Sequence, residues 1–309
     1  MALIALPLLV TRVLVACNDE SEPPRESATV GSPEPSLEVE HLARIHVSAF
    51  DGGHGPRGAT LAVDARFAAF HGLDLEEAAI RASVPPLWAE LLTPGECVAL
   101  PRTGRGDARE SDPDNDRELS LLDAGDLRVT LGDLEQALPI VLVPDLVPWV
   151  SGVEYAWTSQ TRRDGLAGPS RADDEPLPVS IQATGGDAEL PGFSLQTTLP
   201  SPIELVADDG PSPTDGFALS WSRGDAGELM LLEFSSQRPE QGRPTIACRV
   251  EDEGRAAISR ATLASAGLRV DGPLLIVARR QRVERTAIGA FDAVELVAES
   301  THALSVEGD

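Results

Sequence analysis

The chain has 309 residues, of which 25 are basic and 50 acidic, so its net charge at pH 7 is −25. This acidity argues against nucleic acid or an anionic membrane face as a partner, because binding to phosphates depends on clustered basic side chains. Hydrophobic residues make up 42% of the sequence. That content is sufficient for a packed core, and the length suits two domains.

The chain begins with an apolar run that ends at a cysteine. Between Ala2 and Ala16 the single charged residue is Arg12. A helix over this run is roughly 22 Å long, which is shorter than a hydrocarbon core of about 30 Å. The sequence therefore predicts a secretory signal peptide over residues 1–16 instead of a membrane span.

The four residues Leu14, Val15, Ala16 and Cys17 resemble the lipobox of bacterial lipoproteins. In that family the cysteine receives a diacylglyceryl group, the leader is cleaved before it, and the new N-terminus is often acylated. The resemblance covers residues 1–17. It implies a lipid on Cys17 that anchors the chain to a bacterial membrane, in the cell envelope and facing the periplasm or the exterior. The alternative is a buried apolar strand with an incidental cysteine.

The next segments are a predicted tether and a predicted N-terminal domain. Residues 17–37 are acidic and rich in proline and serine, which is typical of a semi-extended tether. A small β-rich domain is predicted over residues 38–160. Residues 44–50 and 59–67 alternate between apolar and polar around a glycine-rich turn, which predicts a β-hairpin.

One short helix and further strands are predicted in the same domain. Asp74 is the expected N-cap of a helix that reaches Ala82, with Glu77 completing a capping box. Residues 118–122 and 126–131 flank a turn and predict a second hairpin. Additional short strands are predicted at residues 140–143 and 147–157.

The C-terminal half predicts a second domain. Residues 161–178 combine glycine, proline and charge without an apolar stripe, which indicates a linker. Eight strands without a long helix are predicted in residues 179–309, which favours a β-sandwich with an immunoglobulin-like layout. These strands span residues 179–184, 193–199, 203–207, 217–221, 228–234, 245–250, 274–286 and 293–306. The predicted fold class is therefore mainly β, with two small antiparallel domains.

Two cysteines follow Cys17 in the sequence. A disulfide between Cys97 and Cys248 is allowed in an oxidising compartment. Cys248 shares a strand face with Ile246 and Val250, which favours two buried free thiols instead. On the same argument Trp221 is expected in the core near Cys248.

An acidic loop carries the strongest metal-ligand pattern. Asp112, Asp114, Asp116 and Asp123 stand at positions 1, 3, 5 and 12 of a twelve-residue stretch, a spacing that resembles a calcium-binding loop. Arg117 stands where such loops require glycine. The alternatives are a calcium site and a solvated acidic turn.

Histidines near the first hairpin form a weaker pattern. His46, Asp51 and His54 bracket its turn, and His71 follows downstream. A hairpin can bring such groups together on zinc or iron. Their spacing matches no standard zinc motif, so ordinary hydrogen-bonded histidines are the favoured interpretation.

The arginine-rich stretch from Arg279 to Arg285 stands out in so acidic a chain. We expect cross-strand pairing with acidic residues of the following strand, namely Asp292, Glu295 and Glu299. The alternative is a surface for an anionic glycan or an acidic partner.

No motif in the sequence specifies catalysis. Nucleophile-elbow, zinc-protease and phosphate-loop patterns are missing from the sequence. The sequence therefore favours a lipid-anchored, extracytoplasmic envelope protein with a non-catalytic binding or structural role. Its expected partners are the membrane, through the lipid, and an envelope protein or polysaccharide. The alternative is a secreted hydrolase that uses an acidic pair in residues 38–160.

Overall fold

The computed structural model describes residues 39–51, 60–100, 117–143, 150–159, 176–212, 216–237, 244–269 and 272–307. The predicted signal peptide, the tether and most of the predicted linker lie outside these residues. The chain from Leu37 to Asp309 is one compact unit. Its described part consists mainly of strands, so the mainly β prediction is confirmed.

The described residues form strands and three short helices. In chain order the strands are β1 (Glu40–Asp51), β2 (Thr60–His71), β3 (Cys97–Leu100), β4 (Glu118–Leu121), β5 (Leu127–Leu131), β6 (Leu134–Ala137), β7 (Ile140–Val143), β8 (Val150–Thr158), β9 (Leu177–Gly185), β10 (Pro191–Leu199), β11 (Val206–Ser212), β12 (Gly216–Ser220), β13 (Leu229–Ser236), β14 (Thr245–Val250), β15 (Arg255–Ile258), β16 (Leu274–Ile288) and β17 (Phe291–Val306). The helices are α1 (Leu75–Arg81), α2 (Trp88–Leu91) and α3 (Arg260–Ser265). No helix among them has the length and apolar character of a membrane span.

Ten strands form one large sheet in the order β3-β14-β13-β16-β17-β1-β2-β4-β8-β7. Two smaller sheets accompany it, one in the order β10-β9-β5-β6 and one in the order β11-β12-β15. The large sheet takes strands from both sides of the predicted linker. The reason is a parallel pairing of β1 with β17, in which Ala43 lies opposite Val294. The predicted division into two domains therefore differs from the structure, and the C-terminal strands form no separate sandwich.

The first hairpin and the helix follow their local sequence signals. β1 and β2 are antiparallel, with Ile45 opposite Ala65, as predicted. Asp74 caps α1, because its Oδ1 accepts a hydrogen bond of 2.7 Å from the backbone N–H of Glu77. Both predictions are confirmed.

The predicted second hairpin is wrong. β4 belongs to the ten-stranded sheet, whereas β5 pairs with β9 and β6 in the four-stranded sheet. The turn between them is a crossing from one sheet to the other. Tyr155 holds this turn, because its hydroxyl accepts from the N–H of Ala124 and donates to Asp123.

Two hydrophobic cores lie on one face of the ten-stranded sheet. The first packs β1, β2 and β17 against the four-stranded sheet, and the second packs β13, β14 and β16 against the three-stranded sheet. Trp221 and Cys248 are both buried in the second core, as expected. We call this side of the large sheet the core face, and the opposite side the polar face.

Arg280 lies on the core face and is fully buried. Its Nε donates to Asp252 at 2.7 Å, and its Nη1 donates to the carbonyl oxygen of Ser201 at 2.9 Å. Its Nη2 donates to the carbonyl oxygen of Ser222. Ser201 follows β10 and Ser222 follows β12, so one guanidinium on the large sheet holds the ends of strands from both smaller sheets.

Cys97 and Cys248 face each other in the pairing of β3 with β14 and form a disulfide. The favoured interpretation of two free thiols is therefore wrong. The burial of Cys248 beside Ile246 and Val250 was inferred correctly. This burial could not distinguish free thiols from a disulfide, because the pairing of β3 with β14 that brings the two cysteines together is not visible in the local sequence.

We predict that Arg280→Met destabilises the fold by about 3–5 kcal/mol, because Asp252 would remain buried without its cationic partner and Glu228 would keep only Arg282. Urea denaturation of the purified protein measures the change. Arg128→Met is the matched control, since Arg128 and Glu135 form an exposed pair that contributes less than about 1 kcal/mol. Equal urea midpoints for the two variants would contradict this role for Arg280.

From the disulfide we predict how a thiol reagent will label the two cysteines. When the protein is unfolded without a reductant, a thiol reagent should modify neither Cys97 nor Cys248, and after reduction it should modify both. Peptide mass spectrometry measures the labelling. Modification of either cysteine before reduction would show that the bond is absent from the isolated protein.

Candidate ligand-binding cavity

The polar face carries charged side chains in cross-strand register. Arg285 of β16 lies opposite Glu295 of β17, Glu295 opposite Arg44 of β1, and Arg44 opposite Arg66 of β2. Side chains in such rows interact directly because opposite positions of neighbouring strands share a face. We call the set Arg44, His46, Asp64, Arg66, Glu233, Arg279, Glu295 and Glu299 the charged band.

Glu299 is the centre of the charged band and is only 2% exposed. Its Oε1 accepts from Arg279 and from the hydroxyl of Thr301, each at 2.7 Å. Its Oε2 accepts from Gln281 Nε2 at 2.6 Å. Burial alone would raise the pKa of Glu299, but Arg279, His46 and Gln281 outweigh that effect and hold the pKa well below its usual range.

His46 lies between two carboxylates. Its Nδ1 is 3.4 Å from Asp64 Oδ2, and its Nε2 is 3.6 Å from Glu299 Oε2. Burial alone would lower the pKa of His46, but the two carboxylates outweigh that effect and raise the pKa to about 9. His46 is therefore a cation at neutral pH, and it adds a second kind of positive charge to the band beside the arginines.

Residues 83–90, which we call the strap, pass over one end of the charged band and include the segment after α1 and most of α2. Arg66 donates to the carbonyl oxygen of Ser83 at 2.9 Å, and Arg44 donates to the carbonyl oxygen of Pro85. Arg285 donates to the carboxylate of Glu90. Three arginines of the sheet therefore fix the path of the strap. Ser83 adopts a left-handed φ of 55°, which turns the chain out of α1.

The strap and the polar face enclose a cavity of about 240 Å³. One wall belongs to the sheet and combines the charged band, except Glu295, with Gln281, Leu100, Leu231 and Val297. The opposite wall belongs to the strap and is apolar. Its lining residues are Val84, Pro85, Pro86, Leu87 and Trp88. Two small hydrophobic clusters anchor the covering segment, one around α1 and one around α2.

The sequence predicted part of this arrangement. Arg279 pairs with Glu299, and Arg285 pairs with Glu295 at 3.0 Å, so the expected pairing with the neighbouring strand is confirmed for both. Arg280 is an exception within the same stretch, because successive residues of a strand point to opposite faces. It contacts Asp252 on the core face and no residue of the predicted set.

The predicted calcium ligands are not brought together in the described part of the chain. Asp112, Asp114 and Asp116 lie outside the described residues. Asp123 accepts hydrogen bonds from Tyr155 and from the N–H of Gly125, at 2.6 and 2.7 Å. The calcium site over residues 112–123 therefore stays a prediction.

The histidine pattern also takes a different form. His54 and the side chain of Asp51 lie outside what the structure describes, and His46 contacts carboxylates of β2 and β17. Among the described residues, no group of three or more His, Cys, Asp or Glu side chains is arranged to hold a metal ion. His46 is instead an ion-paired histidine, in line with the favoured interpretation.

Several lining residues carried no recognised signal. Arg44, Asp64 and Arg66 occupy the polar positions of the predicted hairpin, and such positions normally face solvent. The strap covers them, and nothing local in the sequence indicates this cover. A usable signal was that the four polar positions 44, 46, 64 and 66 of this strand pair all carry basic or acidic side chains.

No protein-family model matches the sequence, and no curated protein matches it. Among solved structures, the Fcho1 Mu homology domain of Danio rerio with bound Eps15 peptide is similar at a TM-score of 0.24 and 8% identity. The alignment covers 87% of this chain and 97% of that chain. A similarity of this size carries no argument about fold or function.

We predict a specific pH dependence for His46. The pKa of His46 is near 6.5 in the unfolded chain and about 9 in the folded protein. Its contribution to the free energy of unfolding is therefore complete below pH 6.5 and is lost as the pH rises through 9. Wild type should therefore exceed His46→Gln in unfolding free energy by about 1 to 3 kcal/mol at pH 6, and by less at pH 9.5. Urea denaturation at both pH values measures the difference. A difference that grows with pH would refute the ion pairing.

Proposed function

We propose that this chain is a lipid-anchored protein of the bacterial envelope that binds another envelope component, a protein or a polysaccharide, without catalysis. The binding part rests on one observation, the cavity of about 240 Å³ between the strap and the charged band. Ligand sites are concave, with an apolar lining and a few convergent polar groups. This cavity has both features.

The anchoring part rests on the lipobox resemblance at Cys17. The disulfide between Cys97 and Cys248 supports export, because disulfides persist in oxidising compartments and are rare in the cytoplasm of mesophiles. The acidic composition supports a partner other than nucleic acid.

The alternative is a secreted hydrolase that uses an acidic pair. Such a pair needs one carboxylic acid that stays protonated near neutral pH. In the cavity, the surrounding donors lower the pKa of Glu299. Burial raises the pKa of Glu228, but Glu228 contacts Arg280 and Arg282 on the core face, away from the cavity. Neither Glu299 nor Glu228 therefore fits the protonated acid of such a pair at the cavity, and both lie outside residues 38–160, where the pair was predicted.

We predict that the full chain, expressed in a bacterial host, gains a diacylglyceryl mass on Cys17 and fractionates with membranes. Cys17→Ser should be unmodified and soluble, since the acyl chains supply about 0.8 kcal/mol for each buried methylene. Intact-mass spectrometry and membrane fractionation measure both properties. Ser21→Ala is the control in the predicted tether and should behave as wild type. A wild-type protein without lipid would refute the anchoring part of the proposal.

A further inference from the structure

The cavity has two chemically different walls. The strap contributes proline, leucine and tryptophan side chains, and the sheet contributes charged side chains together with Leu100, Leu231 and Val297. Trp88 is partly buried against the cluster around α2 and also lines the cavity. A ligand that fits can therefore place an apolar face against the strap and hydrogen-bonding groups against the charged side chains of the sheet.

The charges of the cavity neutralise one another. Arg44 forms two hydrogen bonds to Glu295, and Arg66 forms two to Glu154. Arg279 bridges Glu233 and Glu299, at 3.0 and 2.7 Å. An anionic ligand would have to compete with carboxylates that already hold these cations, and a cationic ligand would have to compete with the arginines. The balance favours a ligand without net charge.

Hydrogen-bonding capacity remains after the charges are matched. Gln281 is 7% exposed and lines the cavity, and its Oε1 has no hydrogen-bond partner among the described residues. The amide cannot simply be reversed, because Nε2 donates to the carboxylate of Glu299, which only accepts. Asp64 adds an accessible carboxylate, with a side chain that is 41% exposed. Gln281 Oε1 has almost no accessible surface, so the exposed carboxylate of Asp64 is the group that calls for donors from a ligand.

A sugar ring combines these properties, because it carries hydroxyl groups along its edge and C–H groups on its face. The hydroxyls can donate to Asp64, and the C–H face can pack on the indole of Trp88. We infer that the cavity between the strap and the charged band binds a neutral saccharide. This inference rests on the proposed binding function and assigns it a site and a ligand class.

The test uses the full chain, purified in detergent, and a panel of defined small molecules. The neutral probes are maltose, cellobiose and N,N′-diacetylchitobiose. The comparison probes are digalacturonate, inorganic phosphate and the zwitterion glycylglycine. Calorimetry and tryptophan fluorescence measure binding. We expect at least one neutral saccharide to bind, and we expect the comparison probes to bind more weakly by about tenfold or more.

Variants locate the site. Trp88→Ala should weaken saccharide binding by about tenfold or more, and Trp88→Phe should retain most of it because a flat ring remains. Asp64→Asn should weaken binding by about fivefold or more, and its partial exposure makes it a folded alternative if Trp88→Ala is unstable. Arg128→Gln, at an exposed pair distant in the fold, is the matched control and should bind as wild type.

The inference is overturned if no neutral saccharide of the panel binds, or if digalacturonate, phosphate or glycylglycine binds more tightly. It is also overturned if the folded variants of Trp88 and Asp64 both bind as wild type. The anchoring proposal fails in a different way. Its failure is seen as an unmodified Cys17, and the saccharide affinities stay unchanged. If Cys17 is lipidated but no saccharide binds, the saccharide inference is refuted and the anchoring proposal stands.

Discussion

Arg279 and Arg280 are consecutive residues of β16, and the two-residue period of a strand sends them to opposite faces of the large sheet. Arg280 is fully buried and the side chain of Arg279 is 31% exposed, and each guanidinium is held by carboxylate partners. Arg279 finds Glu233 and Glu299 on the polar face. Arg280 finds Asp252 on the core face. This one constraint organises the packing of both faces.

The two sets of partners have different consequences. Around Arg280, carboxylates and backbone carbonyls accept from the guanidinium and surround it completely. This guanidinium therefore holds the three sheets together where they meet. Around Arg279 the partners leave space, because the strap is held at a distance by Arg44 and Arg66. The same chemistry that fills one face therefore leaves a cavity on the other.

Compared with apolar side chains of similar volume, a complete ion pair of this kind contributes little net stability, because the cost of removing both charges from water offsets their attraction. Their effect is geometric. A guanidinium that binds a carboxylate and a carbonyl at once fixes the direction of each, and the charged band uses this to hold the strap over the sheet. The band also remains neutral as a whole. The cavity consequently offers hydrogen bonds without a strong field of either sign, although the chain as a whole is highly acidic.

The sequence by itself determined what depends on near neighbours. Alternation identified the β1 and β2 hairpin, Asp74 marked the start of α1, and the charges of β16 and β17 indicated their own pairing. Tertiary structure decided the rest. The parallel pairing of β1 with β17 joins the two halves, and the pairing of β3 with β14 brings Cys97 to Cys248. The strap converts polar strand positions into a cavity wall. Such contacts join residues far apart in the chain, and their energy depends on complementary faces that no local pattern specifies.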